Sequence, residues 1–123
     1  MPRLRRITGI LDVPCILHIC GDTSLIIESM AQTGSKVLSL DQCMDLEKTR
    51  KKSPQTALGG NVDPTGTLTI GTRDKVVEDT LHCLRTGGSK RFILMTGCGI
   101  PPAAPLDNVK TMIRTAKDYG LGH

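Results

Sequence analysis

Four short apolar runs alternate with polar segments along the chain, and turn-forming or polar residues follow each run. The runs occupy residues 15–20, 37–40, 56–60 and 92–95. A short apolar run between turn signals is typical of a strand that is buried on both faces. We therefore predict four strands, and the third is the weakest because it contains Gly59 and Gly60.

In the segments after the strands, apolar residues recur three and four positions apart, which is typical of helices. The predicted helices cover residues 25–32, 44–52, 73–85 and 107–119. Asp22, Thr23 or Ser24 can cap the first of these helices, and Thr72 can cap the third. Each strand is thus followed by a helix, which makes four consecutive βα units.

Four consecutive βα units imply a parallel sheet with right-handed crossovers. Two architectures fit this pattern: a small doubly wound sheet, or half of a (β/α)₈ barrel. No GxGxxG or P-loop motif follows the first strand, whereas polar residues follow every strand. Because barrel enzymes place their chemistry at the carboxyl ends of all strands, we favour the carboxyl-terminal half of a barrel. Residues 1–123 are predicted to form one α/β unit.

The composition of the chain argues against two kinds of partner, membranes and nucleic acids. The 123 residues carry 16 Lys and Arg against 12 Asp and Glu, a net charge of +4, and 38% are apolar, which is ordinary for a globular chain. No apolar run is long enough to cross a membrane. One Phe, one Tyr and no Trp provide few of the stacking residues that single-stranded nucleic acid needs. We expect neither a membrane nor a nucleic acid as a partner.

The first residues have a faint likeness to an export signal, because the basic segment 1–6 precedes an apolar one. Asp12, Pro14 and His18 interrupt the apolar segment, and no small-residue cleavage site follows. We therefore expect a cytoplasmic protein, in which the five cysteines are reduced thiols. About half or more of them are expected to be buried, Cys15 among them.

One histidine and two cysteines are the candidate metal ligands. His18 and Cys20 are two positions apart on the first predicted strand, so their side chains lie on one face. Cys98 follows the last strand between two glycines, and the ends of all strands meet at one rim of a barrel. One imidazole and two thiolates suit zinc, and three protein ligands leave a fourth position open, as in catalytic zinc sites. The alternative is a core histidine and two buried thiols.

Four segments resemble consecutive landmarks of one enzyme superfamily. They are residues 17–23 (LHICGDT), 38–41 (LSLD), 60–64 (GNVDP) and 97–102 (GCGIPP). In order and rough spacing they resemble the carboxyl-terminal half of the uroporphyrinogen decarboxylase superfamily. Within it they are most similar to the corrinoid-protein:coenzyme M methyltransferases of methylotrophic methanogenesis. The resemblance extends from Val13 to Gly120.

The resemblance implies a zinc site, because those methyltransferases bind zinc through a His-x-Cys pair and a distant Cys, which here are His18, Cys20 and Cys98. It also implies the chemistry. Zinc lowers the pKa of a substrate thiol, and the thiol sulfur takes a methyl group from a corrinoid that a separate protein carries. Uroporphyrinogen decarboxylases need no such metal. A decarboxylase-like enzyme of porphyrin biosynthesis and a non-catalytic fragment are the alternative functions.

Four polar residues at the strand ends complete the predicted site. Asp22 or Asp41 is expected to accept the free N–H of His18 and so fix the tautomer of the ring. Asp41, Asn61 and Asp63 are predicted to bind substrate. For Asp22 a helix cap, and for Asp63 a turn residue, is the competing interpretation.

The chain is shorter than the fold of the family requires. A complete (β/α)₈ barrel takes roughly 250 residues, about twice the length of this chain. Four parallel strands leave two open edges. We therefore expect a truncated piece, a split-gene product that pairs with an amino-terminal half, or a homodimer of half-barrels. His123, at the end of the chain, is expected to be disordered.

Overall fold

The computed structural model describes residues 1–122, and His123 lies outside the described residues. The helices are α1 (Pro2–Ile10), α2 (Ile27–Ala31), α3 (Leu46–Lys52), α4 (Arg73–Gly87) and α5 (Leu106–Leu121). The strands are β1 (Ile16–Ile19), β2 (Val37–Leu40), β3 (Ala57–Val62) and β4 (Phe92–Thr96). All four predicted strands and all four predicted helices are therefore present, with small differences at their ends.

The strands form one parallel sheet in the order β1-β2-β3-β4. His18 of β1 is in register with Ser39 of β2, and Leu58 of β3 is in register with Phe92 of β4. The predicted fold class is confirmed, since four consecutive βα units with parallel strands are the arrangement of half a (β/α)₈ barrel. The carboxyl ends of all four strands consequently lie at one edge of the sheet.

An aliphatic core lies between the sheet and the helices. Leu38 and Leu58 on the central strands, Met30 on α2 and Val76 on α4 are all fully buried. Partly buried side chains of the outer strands, among them Ile19 and Leu94, pack against this core. The core is aliphatic because the chain has one Phe and no Trp. Aliphatic side chains can fill a small βα layer at the usual packing density without large rings.

The expected burial of the first strand is wrong. We expected a strand buried on both faces, but exposure alternates along β1, and 55% of Ile16 is accessible. The reason is that β1 is an edge strand, with β2 as its single neighbour. Its side chains at Leu17 and Ile19 face the core, and those at Ile16 and His18 point to the opposite, exposed face.

The structure also contains a helix that the apolar pattern did not predict. No residue of α1 is buried, so the helix carries no stripe of core residues that could reveal it. It is attached to the end of α2, where the Thr8 hydroxyl donates to the Thr33 carbonyl oxygen. In addition, α2 begins at Ile27 without a side-chain cap, so the predicted cap at residues 22–24 is wrong, whereas the Thr72 cap of α4 is confirmed.

The helices lie in a row along the sheet. The helix α2 packs against α3, α3 packs against α4, and α4 packs against α5. At one end of the row, α1 lies beside α2; at the other end, α5 has α4 as its neighbour. Within residues 1–122, no helix combines the length and the apolar character that crossing a membrane would require.

Candidate metal centre

His18, Cys20 and Cys98 come together at the carboxyl ends of β1 and β4. The Nε2 atom of His18 is 3.2 Å from Cys20 Sγ, and Cys20 Sγ is 3.8 Å from Cys98 Sγ. One ligand atom from each residue lies within 4.8 Å of the other two. In the part of the chain that the structure describes, this is the single group of three His, Cys, Asp or Glu side chains with such spacing.

The position of Cys20 follows from the alternation of β1. His18 and Cys20 are two residues apart, so both side chains leave the exposed face of the sheet. Immediately afterwards Gly21 adopts a φ of +83°, which an L side chain rarely tolerates. The chain turns there toward α2, and the N–H of Gly21 donates to the Asp41 carboxylate over 2.9 Å. This hydrogen bond fixes the backbone next to Cys20.

Cys98 reaches Cys20 because the chain after β4 crosses the end of β2. A side chain on Gly97 would overlap the backbone nitrogen and Cα of Gln42, so the crossing needs a glycine at this position. The N–H of Gly97 donates to the Val62 carbonyl oxygen over 2.8 Å. The Thr96 hydroxyl donates to the Cys98 carbonyl oxygen over 2.7 Å. These contacts direct the Cys98 thiol toward the end of β1.

Ser39 orients the histidine. With its proton on Nδ1, His18 faces two acceptors of Ser39, the carbonyl oxygen at 3.2 Å and the hydroxyl oxygen at 3.1 Å. This tautomer leaves the lone pair of Nε2 free for a ligand, which is how metal-binding histidines are usually held. Sequence reasoning missed Ser39, although a polar residue inside the apolar run Val37–Leu40 was a usable signal.

Ser39, and not the expected Asp22 or Asp41, is the hydrogen-bond partner of His18. The Asp22 carboxylate accepts from the N–H and the hydroxyl of Ser24, at 2.9 and 2.5 Å. Asp41 accepts from the N–H groups of Gly21 and Cys43. Both carboxylates are thus occupied by nearby backbone donors, while Ser39 is directly opposite His18 in the sheet register.

The ionisation of these groups follows from their contacts. Desolvation opposes the charged form of Asp41, but the N–H groups of Gly21 and Cys43 outweigh it and lower the pKa of that carboxyl. Hydrogen bonds from Ser24 lower the pKa of Asp22. The hydrogen bond to the Cys98 thiol, together with its charge, raises the pKa of Cys20. Without a cation, the two thiols therefore resist ionising together.

Asn61 and Asp63 lie at a different cavity from the three candidate ligands. The Asn61 amide donates to the carbonyl oxygens of Asp41 and Met44, at 3.0 and 2.7 Å. The Asp63 carboxylate accepts from two N–H groups of the following turn. Both residues border a cavity of about 300 Å³ beside α3 and α4. Their role in substrate binding, like that of Asp41, stays a prediction.

The candidate ligands border a cavity of their own. It has a volume of about 260 Å³ and is lined by His18, Cys20, Ser39, Met95, Thr96, Cys98 and Gly99. Because a water molecule takes about 30 Å³ in the liquid, this space is sufficient for a small organic molecule. Sequence reasoning did not identify Met95 and Thr96 as neighbours of the ligands.

The remaining cysteines do not join the cluster. Cys83 is buried and its thiol donates to the Asn61 side-chain oxygen over 3.6 Å. Cys15 is half-buried and lies outside the core, and Cys43 is exposed. The expectation that half or more of the cysteines are buried is therefore wrong, since Cys83 alone is. Desolvation and the neighbouring Asp41 raise the pKa of Cys43.

The distances from Cys20 to the other two candidate ligands fit a shared zinc ion. Two sulfurs at about 2.3 Å from one tetrahedral zinc are about 3.8 Å apart, and the Cys20 and Cys98 sulfurs are 3.8 Å apart. A nitrogen and a sulfur on the same ion would be about 3.6 Å apart, a few tenths of an ångström more than the 3.2 Å between His18 and Cys20. Small side-chain rotations close that difference, and the imidazole and thiolates are ligands that zinc favours.

Comparisons with known proteins agree on one family. The family model described as Uroporphyrinogen decarboxylase (URO-D) matches residues 2–119. Over 109 residues the chain is 35% identical to a methylcobamide:CoM methyltransferase of Methanosarcina acetivorans, covering 89% of this chain and 31% of that protein. Over 108 residues it is 38% identical to a uroporphyrinogen decarboxylase of Prochlorococcus marinus, covering 86% of this chain and 30% of that protein.

A solved structure agrees with the sequence relatives. A methyltransferase from Methanosarcina mazei superposes with a TM-score of 0.87 at 30% sequence identity, and the match covers 96% of this chain and 35% of that one. The chain thus spans about a third of the length of these relatives.

The cluster predicts metal binding that depends on Cys98. Protein purified with zinc and then dialysed should retain about one zinc per chain, measured by inductively coupled plasma mass spectrometry. Cys98→Ser and His18→Ala should each lose most of it, because two ligands hold a zinc ion far more weakly than three. Cys43→Ser, which removes an exposed thiol outside the cluster, is the matched control and should keep the metal. Equal zinc content in Cys98→Ser and the parent chain would contradict the site.

The contacts of Asp41 predict a pH dependence of stability. Because its folded-state pKa is below the ordinary value of 3.8, Asp41 stabilises the fold above that pH and loses this contribution as the pH falls through its folded pKa. In metal-free protein, Asp41→Asn should lower the free energy of unfolding by about 1–3 kcal/mol at neutral pH. This difference should shrink toward zero in acid.

Urea denaturation at several pH values measures this effect. Asp12→Asn, at an exposed position, is the control and should change the free energy of unfolding by less than about 0.5 kcal/mol. A difference between Asp41→Asn and the parent that is the same at every pH would show that the carboxylate charge is not involved.

Proposed function

The chain belongs to the uroporphyrinogen decarboxylase family, and we propose that it forms the zinc-bearing part of a methyltransferase. The reaction transfers a methyl group from a methyl-corrinoid protein to a thiol such as coenzyme M. The observation that carries this proposal is the convergence of His18, Cys20 and Cys98 at one rim of the sheet. The methylcobamide:CoM methyltransferases among the relatives support the choice of reaction.

The chain provides the ligands and their orientation. Ser39 holds His18 with Nε2 toward the two thiols. As thiolates, Cys20 and Cys98 supply two negative charges, which balance a divalent ion and leave an incoming thiolate its nucleophilicity. When bound, zinc would supply the Lewis acidity that keeps a substrate thiol deprotonated at neutral pH. The cavity of about 260 Å³ beside the ligands is large enough for a short thiol.

The methyl transfer itself needs little further chemistry from the chain. The substrate thiol loses its proton to solvent, and its sulfur attacks the methyl carbon of methyl-Co(III). A sulfur–carbon bond forms as the carbon–cobalt bond breaks, and both electrons of the broken bond stay on cobalt, which becomes Co(I). The open side of the cavity must therefore admit the corrinoid of a partner protein. Free thiols in the site fit the reducing cytoplasm.

Uroporphyrinogen decarboxylation is the second candidate function. Sequence identity does not separate the two, because the decarboxylase of Prochlorococcus marinus is 38% identical and the methyltransferase of Methanosarcina acetivorans is 35% identical. The ligand set favours the methyltransferase, since a thiolate-rich site suits a soft metal and a thiol. Removing a carboxylate as carbon dioxide makes no use of such ligands.

The partners follow from the proposed reaction and from the open edges of the sheet. A corrinoid protein supplies the methyl group and a small thiol receives it. The edge strands β1 and β4 each have a neighbour on one side only, so further βα units are needed to close a barrel. An amino-terminal half or a second copy of this chain would provide them.

Binding of the thiol can be tested without turnover. In X-ray absorption at the zinc edge, coenzyme M should raise the number of sulfur neighbours of zinc from about two to about three. Ethanesulfonate, which lacks the thiol, is the matched control ligand and should leave the spectrum unchanged. An unchanged sulfur count with coenzyme M would contradict the proposed acceptor. Decarboxylation of uroporphyrinogen by the chain would instead support the second candidate.

A further inference from the structure

The side chain of Met95 lies across the sheet beside the three candidate ligands. Met95 belongs to β4, and its sulfur lies above Gly59 of β3, where an added Cβ would overlap it. Gly59 is in register with Ser39, the residue that faces the His18 ring. The Met95 side chain therefore extends from the last strand toward the middle of the sheet, on the face that carries the ligands.

Gly59 provides the space for the Met95 sulfur. The backbone itself does not require a glycine there, because Gly59 is not among the glycines with a positive φ. The Val37 side chain, on the other neighbouring strand, would be in ordinary contact with a Cβ at 3.5 Å. The Met95 sulfur is thus the group that a side chain at position 59 would displace. A glycine inside a strand often marks such a close approach.

Met95 is the lining side chain that is left to contact a bound molecule. Of the other lining residues of the 260 Å³ cavity, three are the candidate ligands. The Ser39 hydroxyl lies against the His18 ring, and the Thr96 hydroxyl donates to the Cys98 carbonyl oxygen. Met95 is half-buried and has an apolar, flexible side chain. It therefore forms the apolar part of the wall next to the ligands.

The lining of this cavity provides no fixed positive charge. Within residues 1–122, neither a lysine nor an arginine lines it. An anionic group on a substrate would have to be bound beyond these lining residues. Selection by the lining itself must therefore act on the size and apolar character of the part of the substrate next to the ligands.

We propose that Met95 sets the length of the carbon chain of the thiol that binds at the candidate ligands, and that Gly59 positions Met95. This inference rests on the proposed function, since it needs a thiol at that site. The thioether contacts apolar atoms and adapts to irregular gaps, so it closes the cavity behind a short carbon chain and excludes a long one. Thiols with a short carbon chain are the expected substrate class.

Thiols of increasing length test this proposal without turnover. The cobalt(II)-loaded chain is titrated with straight-chain thiols from ethanethiol to octanethiol, and the change in thiolate-to-cobalt absorption reports binding. In the parent, each methylene group that fits should tighten binding about fourfold, up to a limiting length. Met95→Ala removes the side chain beyond Cβ, so this limit should increase by about three carbons. Thiols beyond the parent's limit should then bind at least about tenfold more tightly.

Gly59→Ala tests the positioning role of Gly59. The added Cβ should push the Met95 sulfur off β3 and into the cavity, so the limiting length should decrease. In Gly59→Ala/Met95→Ala the Cβ no longer meets a sulfur, and this double variant should have the length limit of Met95→Ala. A merely structural role of Gly59 would leave its effect unchanged in the double variant.

Ile93→Ala is the matched control variant. Ile93 lies two residues before Met95 on β4 and so on the same face, it is exposed, and it does not line the cavity. Its removal should leave the length limit where it is in the parent. If Met95→Ala does not fold, as judged by circular dichroism, Met95→Val keeps a residue that suits a strand and should move the limit in the same direction.

An unchanged length limit in a folded Met95→Ala or Met95→Val variant would overturn the proposal, and so would an equal shift in Ile93→Ala. A Gly59→Ala effect that persists in the double variant would show that Gly59 does not act through Met95. In either case, thiol binding by the parent would leave the proposed function standing. A cobalt-loaded parent that responds to no thiol would instead contradict the proposed function, and the inference about Met95 with it.

Discussion

The candidate metal centre depends on the close approach of Gly97 to the backbone of Gln42. The strands β1 and β4 are at opposite edges of the sheet, and two strands lie between them. In a flat sheet, three strand spacings would separate their ends by about 14 Å, yet the Cys20 and Cys98 sulfurs are 3.8 Å apart. Curvature of the sheet and the crossing of the chain over β2 together close this distance. A side chain at position 97 would prevent the crossing.

A second set of contacts fixes the other half of the centre. Ser39 orients the His18 ring from the neighbouring strand, and Asp41 holds the backbone at Gly21, immediately after Cys20. Both residues belong to β2 or directly follow it, and Gln42 beneath Gly97 comes next in the chain. The end of β2 thus positions all three candidate ligands, although none of the ligands belongs to it. The proposed chemistry lies at this rim of the sheet.

Much of the fold could be predicted because apolar runs and turn residues mark each strand. The shared face of His18 and Cys20 also followed from strand geometry, and Cys98 from its place after the last strand. The helix α1 was missed because none of its residues is buried. The part played by Ser39 depends on the register of β1 with β2, and Asn61 is held by the carbonyl oxygens of a neighbouring segment. Such long-range contacts leave no periodic signal in a single sequence.

Cobalt substitution tests the central claim most directly, because cobalt(II) reports both the type and the geometry of its ligands. Titration of the metal-free chain should produce thiolate-to-cobalt charge-transfer absorption and the intense visible bands of a tetrahedral site, both saturating at about one cobalt per chain. The charge-transfer intensity should correspond to two thiolates. Weak octahedral bands without charge transfer would show that Cys20 and Cys98 do not hold a common ion, and the proposed metal centre would be wrong.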